Sequence, residues 1–417
     1  MASNESHVTL HNAEEEDLSA LESFYSRLVP AKKIATISKF TLESGATIER
    51  AQIAYSTFGA LDRNGDNALV VCHALTGSSD VADWWQPLLG AGRALDPTRY
   101  FVFCANVLGS PYGSSSPLTI DPVTGVRYGP TFPATTIRDD VKVQKLILDA
   151  LQVKGVAAVI GGSMGGMHAL EWPLCTTKGY VRNIVTIATS AYQGAWGISW
   201  GETQQQAIRT DIGFDGGWYD PTPNGQPRSG LGLARKIGML TYRSCDSFEA
   251  RFGREFKYNN AKTNRDDVTT RVFQAPPTPP LAEESLSSQK IYSAQSYLRY
   301  QAAKFLDRFD ANCYLHLINK IDTHDVTRDR RVFSTLPSEA LVVGVKDDLL
   351  FTLAQQNTLA KCLPGAKSFT LISSDGHDGF LIEFEKLNSI ITNHLQRKCM
   401  WLYLDTETSK SCTHELA

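Results

Sequence analysis

Read for its alternation of apolar and polar positions, the chain falls into short extended runs separated by helical stretches. TISKFTLESG and ATIERAQIAYSTFG, which follow one another from Thr36, alternate in the manner of strands with one wetted face. Ala68–Cys72 is different: ALVVC is apolar at every position, as a central strand covered on both faces must be. Runs of the same kind begin at Tyr100 (YFVFCA), span Gly155 to Gly162 (GVAAVIGG), start again at Val181 (VRNIVTIATS), and recur at Ser338–Val345 and near Ser368–Ser374. DDVKVQKLILDAL, with Val141, Leu146 and Leu148 among its apolar positions, reads as a helix ahead of the Gly155 run. Apolar strands alternating with helices predict an α/β protein with an open, mostly parallel sheet.

Two stretches break that rhythm. Residues 1–36 read as a polar N-terminal arm with one short helix around Leu18 to Leu28. Residues 190–335 contain turn-rich DGGWYDPTPNGQPRSG, amphipathic GLARKIGMLTYRS and SAQSYLRYQAAKFLDRF, and Pro-rich QAPPTPPLAEES, with no core-type strand. The organisation predicted is an arm (1–36), a first core part (37–189), a helical insertion (190–335), a second core part (336–400) and a tail (401–417). Trp401, Leu402 and Tyr403 in that tail suggest some packing.

Composition narrows the classes. The 417 residues include 42% hydrophobic and 20% charged positions, enough to bury a sizeable core. Lys plus Arg total 41 against 44 Asp plus Glu, a net charge of −3 that gives no reason to expect nucleic acid or an anionic membrane as partner. The eight cysteines form no CxxC pair, and Cys72 and Cys104 lie in apolar runs, so free buried thiols in a reducing compartment are expected. The first residues hold neither an apolar signal core nor an Arg-rich transit pattern, and no run approaches 18 apolar residues. The location expected is cytoplasmic.

The chemistry concentrates in GVAAVIGGSMGGMHALEW. Gly161, Ser163 and Gly165 form G-x-S-x-G between an apolar strand and a helical stretch. A nucleophile on such a hinge is strained, and its neighbours must be glycine to let the backbone fold back closely. The hinge also sets the hydroxyl at a helix N-terminus, where free amides oppose developing negative charge. Neither a Walker A motif nor a phased dinucleotide G-x-G-x-x-G is present in this loop. In α/β hydrolases the partners follow in the order serine, acid, histidine. Among downstream histidines, His168 lies within the nucleophile helix as packing, His316 and His324 fall in the insertion, and His394 and His414 lie toward the end. His377, in the glycine-bounded loop SSDGHDGFL, is the expected base. The acid belongs to LVVGVKDDLLF, where Asp347 and Asp348 both satisfy the spacing. The expected oxyanion donors are the backbone amides of Met164 and of Leu75 in HALTG.

Taken together these segments resemble the homoserine O-acetyltransferase family, which also includes fungal deacetylcephalosporin C acetyltransferase and serine O-acyltransferases. The resemblance is carried by HALTG (73–77), DWWQPLLGAGRALDPTRYFVFCANVLGSPYGSS (83–115), FPATTIRDDV (132–141), GGSMGGMHALEW (161–172), GLGLARKIGMLTYRS (230–244), DDLLF (347–351) and GHDGFLIE (376–383), from about Ile37 to about His394. It implies an α/β-hydrolase core with a helical lid, with Ser163 as nucleophile, His377 as base and, through D-x-L-F, Asp348 as acid. It further implies Arg235 and Tyr242 as lid residues lining the site, Arg235 for the acceptor carboxylate and Asp378 for the acceptor amino group. The implied reaction is ping-pong acetyl transfer from acetyl-CoA to L-homoserine in methionine biosynthesis, with no metal or bound cofactor and a homodimer joined through the lid. Departures from the family pattern are SSDVADWW after HALTG, Tyr192-Gln193 and Gln205 near the insertion start, and the extra carboxylate of Asp347. The competing readings are a serine esterase or thioesterase, a different acceptor (serine or deacetylcephalosporin C) or a succinyl donor, and a catalytically silent binding protein of the same fold.

Overall fold

The computed structural model describes residues 7–11, 23–30, 32–256, 290–328 and 330–404. Nine strands form one sheet in the order β1-β2-β3-β5-β4-β6-β7-β8-β9. They are β1 (Val8–His11), β2 (Lys33–Thr41), β3 (Thr47–Phe58), β4 (Ala68–Cys72), β5 (Phe101–Ala105), β6 (Val156–Gly162), β7 (Ile184–Ile187), β8 (Leu341–Val345) and β9 (Lys367–Leu371). The first three pair antiparallel, β3 runs antiparallel to β5, and every later pairing is parallel.

The central strands are apolar throughout because both faces are covered. In β4, Ala68, Val70 and Cys72 face one core, while Leu69 and Val71 face the other. Helices α2 (Ile137–Ala150), α3 (Met164–Glu171) and α9 (Leu353–Cys362) serve the first core through Val141, Leu170 and Leu359. Helix α10 (Phe384–Lys398) serves the second through Leu387, Ile391 and Leu395, beside Trp85 of α1 (Val81–Trp85). Helix α2 starts where the sequence supplies a reciprocal cap: Thr136 accepts from the Asp139 amide and Asp139 accepts from the Thr136 amide.

Three expectations change. Residues expected to be an arm supply an edge strand, since β1 pairs with β2 from Val8↔Ile37 to His11↔Ile34. Part of the helix expected near Leu18 to Leu28 lies outside the described residues, and Ser26–Leu28 is a single 3-10 turn. Strand β3 loses its alternation toward its end, where Ala54, Tyr55 and Ser56 are all buried, because that half runs beside β5 under cover of other segments.

Between β7 and β8 the described residues form α4 (Ala195–Arg209), α5 (Arg228–Tyr242), α6 (Cys245–Phe252), α7 (Ser293–Leu306) and α8 (Ala311–Asp322). The Pro-rich link falls outside the described residues. Ile208, Leu231, Phe305, Tyr314 and Leu317 from these helices share one core with Met164 and Met167 of α3. The cap is thus packed directly onto the nucleophile helix. At the far end, residues after α10 pack as the aromatic sequence suggests: Arg182 lies over the Trp401 ring and Arg99 over Tyr403.

Candidate active site

Ser163 sits between the end of β6 and the start of α3 with φ 57° and ψ −124°. That conformation costs a non-glycine residue about 1–3 kcal/mol and persists only where the surroundings enforce it. The two flanking glycines show how. A Cβ on Gly161 would lie 2.0 Å from the Gly165 carbonyl oxygen, and one on Gly165 would lie 2.1 Å from the Cys72 carbonyl oxygen at the end of β4. Only glycine lets strand, turn and helix approach this closely. The Ser163 amide also donates to the Ile187 oxygen on β7 at 2.9 Å, fixing the turn to the neighbouring strand.

The 3-10 turn Gly376–Leu381, which follows β9, carries His377 to this serine. Its Nε2 is 2.9 Å from Ser163 Oγ and its Nδ1 is 2.7 Å from Asp348 Oδ2. All three side chains are buried. Of the two carboxylates that spacing left open, the structure places Asp348 against the ring. Its Oδ1 accepts the amides of Leu350 at 2.8 Å and Phe351 at 2.9 Å, so the D-x-L-F turn itself orients the carboxylate. Burial disfavours a charged His377 ring, but Asp348 outweighs it and raises the ring above its ordinary value of 6.5. Phe351, Phe380 and Tyr242 surround the imidazole, with ring centroids 5.6, 5.4 and 6.1 Å away.

Ser163 and His377 open into a cavity of roughly 260 Å³ whose other walls come from α4, α5, α7 and α8. Leu75 lines it from the loop after β4, and Met164 is the first residue of α3, so its amide has no partner within the helix. Arg235 and Tyr242 line the same cavity from α5. The Arg235 guanidinium rests over the Phe305 ring at 4.7 Å and the Tyr242 ring at 5.7 Å. Its Nε is buried with no hydrogen-bond partner among the described residues, which also offer it no ion pair.

Asp378 reaches the cavity already engaged. Arg243 Nε lies 3.0 Å from its Oδ2, while Arg243 Nη1 pairs with Asp375 Oδ1. Burial raises Asp378 above its ordinary 3.8 against the opposing pull of Arg243 and His377. Sequence reasoning missed Arg243; its signal was its place in LTYRS, directly after Tyr242. It also missed Asp322 on α8, a cavity-lining carboxylate raised to about 6 by burial and by Glu202. The other histidines stand elsewhere. His168 is buried behind the nucleophile turn, His316 bonds Thr135, and His324 is buried, whereas His414 lies outside the described residues.

Among the described residues no cluster of three or more His, Cys, Asp or Glu has the arrangement of a metal site. No helix there is long and apolar enough to cross a membrane. Cys72, Cys104, Cys313 and Cys399 are buried free thiols, whereas Cys245 and Cys362 are exposed.

A strained serine after a parallel strand, within hydrogen-bond reach of a His–Asp pair, defines an α/β hydrolase by fold and site. The family model of the alpha/beta hydrolase fold matches residues 67–384. The chain is 47% identical to a homoserine O-acetyltransferase of Gibberella fujikuroi, covering 89% of each chain. It is 42% identical to the homoserine O-acetyltransferase of Saccharomyces cerevisiae, covering 89% of this chain and 88% of that one. The chain belongs to the homoserine O-acetyltransferase family. A solved homoserine O-acetyltransferase from Bacillus anthracis superposes with a TM-score of 0.75 at 23% identity, over 87% of this chain and 97% of that one, which shows the shared fold.

Proposed function

We propose that this protein transfers an acetyl group from acetyl-CoA to the hydroxyl of L-homoserine through an acetyl-Ser163 intermediate. The observation that carries the reading is the Arg235 guanidinium, unpaired among the described residues, which lines the same cavity as the Ser163–His377–Asp348 relay. A plain esterase needs the relay and a path for water. A fixed cation without a partner suits an acceptor that brings its own carboxylate.

In the first half-reaction Ser163 Oγ attacks the thioester carbonyl while His377 Nε2 takes the hydroxyl proton. Asp348 holds the ring so that Nδ1 keeps its proton and stabilises the imidazolium. The Met164 and Leu75 amides receive the oxyanion. Collapse expels the CoA thiolate, which takes the proton from His377. In the second half-reaction His377 deprotonates the homoserine hydroxyl, which attacks the acetyl carbonyl, and Ser163 leaves with the proton returned to it. Arg235 binds the acceptor carboxylate, with Tyr242 closing the wall beside it. Asp378 takes the amino group while Arg243 holds the carboxylate in place. The cap excludes water from the acyl-enzyme, which favours transfer over hydrolysis. No cofactor beyond the acyl donor enters this scheme.

The setting proposed is methionine biosynthesis in the cytoplasm, in a homodimer joined through the cap. Trp196 and Ile198 on α4 and Leu233 and Leu240 on α5 are large apolar side chains exposed on that surface, which supports the pairing. The test is thiol release from acetyl-CoA with L-homoserine, L-serine, deacetylcephalosporin C or water alone. Strong stimulation by homoserine supports the proposal. Equal release into water identifies a hydrolase, and preference for another acceptor reassigns the cavity.

A further inference from the structure

His377 belongs to a short loop whose other residues are held by the cap. Ser374 to Asp378 follow β9, and the elbow between α5 and α6 lies against them. The Ser374 oxygen accepts from Ser244 Oγ. Asp375 Oδ1 accepts from Arg243 Nη1 at 2.5 Å and from Ser247 Oγ at 2.9 Å. Gly376, at φ 64°, comes so close to the elbow that a Cβ there would lie 2.7 Å from the Ser244 nitrogen and 2.9 Å from the Arg243 carbonyl carbon. Asp378 Oδ2 is 3.0 Å from Arg243 Nε, an ion pair that makes no hydrogen bond. The remaining residue is the base itself, turned toward Ser163 and Asp348.

The elbow is firm enough to serve as an anchor. Ser244 caps α6, its Oγ accepting the Ser247 amide at 3.0 Å while donating to Ser374. The core's own holds fall on the imidazole, through Asp348, and beyond it, where Trp85 Nε1 donates to the Phe380 oxygen at 3.3 Å. Arg243 and Asp375 are largely buried, at 16% and 24% exposure, so their charge-assisted bond is short, directional and poorly screened. At the guanidinium, Nη1 gives Asp375 a directed bond, whereas Nε gives Asp378 charge without one. The mechanical hold therefore runs through Asp375.

We propose that Arg243 and Asp375 are positioning residues for His377: their bond pins the histidine loop to the cap, so the cap sets the reach of the base to Ser163. This rests on the acyl-serine reading above. The base must stand within hydrogen-bond reach of the hydroxyl, and a misplacement of about 1 Å can cost about a hundredfold in rate. Arg235 and Tyr242 line the cavity from the same helix α5 that ends at this elbow, so the acceptor wall and the hold on the base share one element.

The test uses the full-length enzyme with p-nitrophenyl acetate and no acceptor, because nitrophenolate release reports acylation whatever the natural donor and acceptor are. Asp375→Ala is the primary variant, since Asp375 is not among the described residues lining the cavity, whereas Arg243 is. Its kcat/KM is expected to fall about tenfold or more through kcat, with KM within about twofold. Arg243→Ala should fall comparably, and the double variant should be no slower than the slower single one, because the two act as a unit. If Asp375→Ala does not fold, Asp375→Asn keeps the shape, removes the charge and should shift kcat in the same direction. Unchanged kcat in the Asp375 variants, or effects that multiply in the double variant, overturn the proposal alone. An unmodified enzyme that leaves the ester intact overturns the acyl-serine reading and the proposal with it.

Discussion

The nucleophile turn and the cap wall opposite it are built to different standards of completeness. At the turn the reacting side chains are already paired: Ser163 meets His377, His377 meets Asp348, and Asp348 is met by two backbone amides. Its geometry follows from a few adjacent residues, since Gly161 and Gly165 leave no room for a side chain. The cap wall is left short. Among the described residues, Arg235 Nε is buried without a partner, and a buried Asp322 oxygen also lacks one. Under the proposed reaction, side chains that must be ready before substrate arrives are satisfied internally, while the recognising wall keeps groups whose partners the substrate would supply.

That contrast predicts a graded series. Ser163→Ala should have the largest effect, lowering kcat for thiol release on the order of a millionfold while circular dichroism stays unchanged. Asp348→Asn follows, at about 10⁴-fold in kcat, because the amide can leave the ring in the wrong tautomer. Arg235→Ala should lower kcat/KM for homoserine about a hundredfold, while single-turnover acylation by acetyl-CoA stays within about twofold. Loss of acylation in that variant would break the comparison, since it would place Arg235 in the first half-reaction.

The smallest effect is a displacement in pH. His377 must be neutral to act as base, and Asp348 raises its ring above 6.5. The proton is therefore retained to higher pH, and kcat/KM for acetyl-CoA should fall as pH drops through a limb lying above 6.5. In Asp348→Asn the raising charge is gone and burial remains, so the residual activity should show that limb at lower pH.

The parts legible in sequence are those whose physics is local. Strand β4 was readable to the residue because a strand covered on both faces must be apolar throughout, and Ala68–Cys72 is. Strand β1 was not, since VTLH is short, paired on one side only, and flanked by polar residues. Ser163 and His377 stood out through glycine spacing and position in a loop. Asp347 and Asp348 differ in side-chain direction, which spacing does not encode; the turn through Leu350 and Phe351 decides it. Arg235 and Tyr242 sit on an amphipathic helix whose inward face is set by packing against distant segments, so their place rested on family resemblance alone. Arg243 was overlooked because its partners, Asp375 and Asp378, lie more than a hundred residues away.

The most direct test is to mix the enzyme with acetyl-CoA in the absence of acceptor, quench with acid, and map the protein by mass spectrometry. One added acetyl group is expected, on the peptide containing Ser163, and it should disappear when homoserine is supplied before the quench. An enzyme that turns over under these conditions with no acetyl group on Ser163, or with the label on another residue, would contradict the acetyl-Ser163 intermediate.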